Sequence, residues 1–184
     1  ANYYGALAEA EVRLRGPDGG AWGERLEREH DNLRAALSWA LTCGDGDVAL
    51  RLAGSLWRFW SEHGHLTEGR RWLREALILP GESGSTGVAA RAIALAGAAQ
   101  LALDQGDFDE ARQMYRQEMS LLDDLGTSRE SASTSIESAR VEVLAGDLEA
   151  AEAHLRRDDA LLAELGERYF RSTVAGLLGR VLLL

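Results

Sequence analysis

Gly106-Asp107-Phe108-Asp109-Glu110-Ala111 is answered forty residues later by Gly146-Asp147-Leu148-Glu149-Ala150-Ala151, and Leu125-Gly126 returns at the same interval as Leu165-Gly166. Two landmarks sharing one period mark an internal repeat, and a period in this range belongs to stacked helix pairs. A single helix pair cannot cover its own apolar face, so each unit must lie against a neighbour. That requirement, more than any composition, narrows what this chain can fold into.

The apolar spacing fills in the rest. Helices are expected at 2–15, 22–42, 48–63, 66–79, 88–105, 108–125, 130–145 and 148–165, with a last one from about 167 still running at 184. The third carries the clearest stripe: Ala49, Leu52, Ala53, Leu56, Trp57 and Trp60 fall on one helical face. Breaks are expected at Gly16-Pro17-Asp18-Gly19-Gly20 and at Gly44-Asp45-Gly46-Asp47. Pro80 to Gly87 reads as a polar, glycine-rich and mobile linker. With two prolines in 184 residues and long Ala-, Leu-, Glu- and Arg-rich stretches, the class is all-α.

Composition also excludes functions. Every basic side chain is arginine, so the chain has no Gly-x-x-x-x-Gly-Lys phosphate loop. A net charge of −10 argues against direct nucleic-acid contact. Cys43 is the one cysteine, which excludes an intramolecular disulfide and points to a reducing compartment. Neither a charged leader nor a run of about eighteen apolar residues opens the chain, so no membrane association and a cytoplasmic location are expected.

The repeat resembles the tetratricopeptide repeat (TPR), although forty residues exceeds that family's usual length. With Gly106 and Gly146 at the inter-helix turn, Ala111 and Ala151 take the small position and Tyr115 and Leu155 the bulky one. Gly64, Gly69 and Leu73 are their counterparts, and Leu178-Gly179 matches the family's leucine–glycine pair. The resemblance implies a right-handed superhelical stack of about nine helices. It divides the chain into an N-terminal helical pair at 1–47 and repeats at 48–184, namely 48–80, 88–126, 129–166 and a truncated 167–184. On this register the next turn glycine lies past Leu184, so the natural protein is expected to continue. Trp57 departs from the pattern at a position usually small, and Ser135, Ser138 and Glu142 at positions usually apolar.

A more specific resemblance rests on Tyr3-Tyr4-Gly5-Ala6-Leu7-Ala8-Glu9, Leu14-Arg15-Gly16-Pro17 and, above all, Leu26-Glu27-Arg28-Glu29-His30-Asp31-Asn32-Leu33-Arg34-Ala35-Ala36-Leu37. Ala49 to Gly54, Gly64 to Arg70 and Gln105-Gly106-Asp107 complete it. Together they are similar to the region after the NTPase domain in large ATP-binding LuxR-type transcriptional regulators. The resemblance implies a non-catalytic sensor or protein-interaction module without a cofactor of its own. Its expected partners are a protein or small effector, and the NTPase domain of the same polypeptide. A free-standing TPR scaffold docking a partner's peptide is the alternative.

In such a stack the inward face is lined by the first helix of each pair. One position there reads Arg58, Gln100, Arg140 and Arg180, and Arg51 is grouped with them as a candidate groove contact. Guanidinium forks suit carboxylates and phosphates; ordinary surface pairing with nearby acids is the competing explanation. Trp72, offset from its helix's stripe, is expected to be exposed and is the candidate aromatic site. Trp57 and Trp60 are expected in the core. His63-Gly64-His65 reads as a helix end and turn, with no metal site, since zinc needs three or four converging ligands. Asp104, Asp107, Asp109 and Glu110 read as helix-capping acids rather than a calcium loop.

Overall fold

The computed structural model describes residues 19–80, 85–124, 128–164 and 166–183. Among them the chain is helical and contains no strand. The helices are α1 (Gly19–Arg28), α2 (His30–Thr42), α3 (Gly46–Glu62), α4 (Leu66–Ile78), α5 (Ser85–Asp104), α6 (Phe108–Asp124), α7 (Ser128–Ala145), α8 (Leu148–Glu164) and α9 (Arg168–Val181). The helix expected at 2–15 lies outside the described residues, as do residues 81–84 of the linker expected from Pro80 to Gly87; its last three residues, Ser85 to Gly87, instead form the first turn of α5. Two compact units emerge, Ala1–Gln105 and Gly106–Leu184.

The helix breaks share one device. Gly44, Gly64, Gly106, Gly146 and Gly166 all have φ between 69° and 82°, a left-handed conformation that costs an L side chain about 1 kcal/mol or more. The residue after each glycine opens the next helix. Asp45 Oδ1 accepts from Val48 N at 3.1 Å, Asp107 Oδ1 from Glu110 N at 3.2 Å and Asp147 Oδ1 from Ala150 N at 3.1 Å, each satisfying a helix-terminal N–H. His65 and Glu167 occupy the equivalent place without a side-chain cap.

In the first unit α3 packs on α4, and α5 lies against both. Because α3 is covered on several sides, it buries Leu50 and Phe59 along with the expected Leu52, Leu56 and Trp60. Trp57, large where the repeat usually has a small residue, is accommodated by its neighbour. A Cβ on Gly97 of α5 would lie 2.6 Å from Trp57 Cβ, so glycine leaves the space that tryptophan fills. Gly69 does the same for Trp60 and Leu101, each 2.7 Å from where its Cβ would be. Helix α5 is long and apolar enough to cross a membrane by length and composition, with a mean hydropathy of 1.4, but 61% of that stretch is buried in the protein. It is the central helix of its unit.

The second unit repeats the scheme with α7 between α6 and α8, and α9 against α8. Ala111, Tyr115 and Leu122 on α6 and Ala151, Leu155 and Leu162 on α8 are buried in matching register. Gly179, expected to permit close helix approach, has nothing within 4 Å of where its Cβ would be.

Candidate functional site

The side chains expected to face a groove divide between the units. On α3, Arg51 is exposed, and Arg58 is half-buried with its guanidinium 4.4 Å above the Trp57 ring. Gln100 on α5 donates from Nε2 to Asp104 Oδ1 at 2.7 Å. In the second unit Arg140 Nη2 on α7 meets Glu137 Oε2 at 3.0 Å, and Arg180 stands exposed in the last turn of α9.

Trp72 corrects its expectation. It is only 6% exposed, and its indole N–H donates to Glu68 Oε1 at 3.1 Å. The offset from the stripe that suggested exposure instead turns the indole N–H back along α4 to Glu68, one turn earlier, which Arg34 of α2 also holds. Trp39, 52% exposed, is the outward-facing tryptophan.

A denser constellation forms where α1, α2 and the α3–α4 turn meet. Glu27 lies near the end of α1, His30 opens α2, His63 ends α3 and His65 precedes α4. One carboxylate oxygen, Glu27 Oε2, stands 3.1 Å from His65 Nε2 and 3.6 Å from His63 Nδ1. The His30 and His65 rings lie 4.3 Å apart, and the His30 and Phe59 rings meet edge-on at 5.3 Å. His63 can lie against α1 because residue 23 is glycine: a Cβ there would sit 2.5 Å from His63 Nε2. An open cleft of about 570 Å³, lined by Glu24, Glu27, Arg28 and His63, adjoins the cluster.

The charges are sorted by burial and partners. The hydrogen bond from His65 holds the Glu27 carboxyl below its usual range. Burial pushes the His30 imidazole down, with the nearby Glu68 opposing. Glu68 is held at about 2, chiefly by Arg34, which donates from Nε and Nη2 at 2.7 and 2.6 Å to its two oxygens, with Trp72 adding a third bond. The turn at His63-Gly64-His65 is as expected from sequence. What the sequence did not reveal is that Glu27 and His30, over thirty residues earlier, converge on it. Glu27-x-x-His30 at i, i+3 on a helical face was the available signal.

The second unit holds a polar seam. Ser135 Oγ donates to Asp158 Oδ1 at 2.6 Å. Arg112 clasps both Glu142 oxygens, the shortest contact being 2.6 Å. Burial pushes Glu118 up to about 7, partly offset by a bond from Thr134. Asp158 is raised for the same reason, with Ser135 opposing. Glu118 and Asp158 are forty residues apart, the same position of two successive repeats. Of the polar residues of α7 that looked unsuited to a helix interface, Glu142 is matched by Arg112 on α6 and Ser135 by Asp158 on α8, while Ser138 is buried as well.

Antiparallel helix pairs turned by left-handed glycines, stacked within each unit, define a TPR-like helical repeat fold. Solved structures agree. BtubC of P. vanneervenii superposes with a TM-score of 0.62 at 18% identity, covering 85% of this chain and 65% of that one. A kinesin-light-chain-type protein of Podospora anserina with nearly identical TPR-like repeats gives 0.60 at 18% identity, covering 86% of each. No family model matches the chain. By sequence, 76 residues are 40% identical to proteins of Mycobacterium bovis and Mycobacterium tuberculosis named as HTH-type transcriptional regulators. The match spans 41% of this chain and 9% of each of those proteins.

Proposed function

We propose that this chain is the non-catalytic repeat module of a larger, ATP-dependent LuxR-type transcriptional regulator, acting in the cytoplasm as a sensor or protein-interaction surface. The observation that carries this reading is the 40% identity over 76 residues to much longer HTH-type regulators, joined to a TPR-like fold suited to protein binding. A protein segment or small effector bound on the inward face changes how the repeats hold the NTPase domain of the same polypeptide. Arg58, Gln100, Arg140 and Arg180, with Arg51, are the side chains assigned to that contact. DNA is left to another part of the parent protein, in keeping with the net charge of −10.

The coding sequence on either side tests the parent class. A Gly-x-x-x-x-Gly-Lys motif upstream and a helix-turn-helix at one end are expected; lacking both, the free-standing scaffold is the better reading. The groove assignment is tested separately. An Arg140→Ala/Arg180→Ala protein should bind its effector or partner at least roughly tenfold more weakly, the loss of one to two charge-assisted contacts. Undiminished affinity would remove the groove residues from the account.

A further inference from the structure

We propose that Glu27, His30 and His65 form a binding site for a divalent transition-metal ion of the zinc type, pinning the α1–α2 junction to the α3–α4 turn. One ligand atom from each of the three residues lies within 4.8 Å of the others. Zinc bonds of about 2.0–2.2 Å to imidazole nitrogen and carboxylate oxygen place tetrahedral neighbours roughly 3.3 Å apart. The edge from Glu27 Oε2 to His65 Nε2 already measures 3.1 Å, and the His30 nitrogen lies within 4.8 Å of both. His63 Nδ1, 3.6 Å from the same oxygen, stands within reach of the fourth position. Two imidazoles and one carboxylate suit zinc, cobalt or nickel rather than calcium or magnesium, which take oxygen donors.

Three further observations distinguish this cluster from a chance meeting of histidines with an acid. His30 is buried, 8% exposed, and its Nε2 has no hydrogen-bond partner. The nearest carboxylate oxygen, Glu68 Oε1, is 3.4 Å away, and a buried polar atom left unpaired asks for a partner. His65 takes the place where Asp45, Asp107 and Asp147 cap their helices, yet it caps nothing and turns to Glu27 instead. Glu68, fixed by Arg34 and Trp72, adds a second carboxylate 3.4 Å from the His30 nitrogen, so the cluster carries the negative charge a cation needs. Glu27 and His63 also line the open cleft, which gives an ion its way in.

The test is a titration of the whole 184-residue chain, first stripped with a chelator, using cobalt(II) followed by its visible absorption and zinc(II) followed by calorimetry. One equivalent should bind, with the intense absorption of tetrahedral cobalt, and zinc should raise the melting temperature. Glu27→Gln and His65→Ala, both at partly exposed positions and checked for helix content by circular dichroism, should each weaken binding roughly tenfold or more. His154→Ala, which changes the one histidine outside the cluster, should leave it unchanged. The proposal fails if neither metal binds saturably up to millimolar concentration, or if either cluster variant keeps wild-type affinity. The residues would then be a hydrogen-bonded helix junction only.

Discussion

Glu118 is a buried carboxyl of the second unit whose charge state is coupled to folding. Its folded pKa, raised to about 7 by burial, lies above the unfolded value of about 4.3, so folding favours the neutral acid. The stabilisation is full below the unfolded value and is lost as pH rises through 7. The swing is on the order of 3 kcal/mol. Urea melts should show the wild-type protein weakening between pH 5 and pH 8. Glu118→Gln should flatten that dependence and be the more stable form at pH 8. An equal slope in both proteins would place the ionised carboxyl in contact with solvent or a cation. Gly69 is a second decisive residue. With Trp60 and Leu101 only 2.7 Å from its missing Cβ, Gly69→Ala should overpack the first unit and cost about 1–3 kcal/mol, read as a lower denaturation midpoint.

Among the elements, the turns were the most legible from sequence. A glycine followed by an acid specifies both the left-handed residue and the cap of the next helix. Gly44-Asp45, Gly106-Asp107 and Gly146-Asp147 therefore end and restart helices where expected. Asp147→Ala should remove one such cap at a cost of about 1 kcal/mol, measurable by chemical denaturation. Where no local signal exists, sequence reasoning ran helices together. The single expected helix 22–42 is two, separated at Glu29, with no glycine or proline to mark the break. The reading of α3 as one stripe missed Phe59 because that helix is covered on more than one face, a tertiary fact that periodicity does not carry. In α7 the difficulty ran the other way. Ser135 looked wrong for an interface because its partner, Asp158, is on another helix. Ser135→Ala should leave that carboxyl without its donor and destabilise the protein by about 1–3 kcal/mol; a neutral result in urea melts would mean that water replaces the hydroxyl.

At the scale of the whole molecule, the repeat period in the sequence points to an all-α stack of helix pairs, and the TPR-like solved structures agree with it. The expected groove positions rest on repeat register alone, which assigns a side chain to a face of its helix and not to a ligand. Of the Glu27–His30–His65 cluster only the Glu27–His30 spacing was visible in sequence, because His65 is distant and joins them only when α1, α2 and the α3–α4 turn assemble. The proposed function has this chain regulate ATP-dependent chemistry carried out elsewhere in a longer parent protein. The most direct measurement is steady-state ATP hydrolysis by three samples: this chain alone, the parent's NTPase portion alone, and the intact parent. The account predicts no hydrolysis by the chain and an intact-parent rate clearly different from that of the NTPase portion. Hydrolysis by the chain itself, or identical rates with and without the repeats, would contradict it.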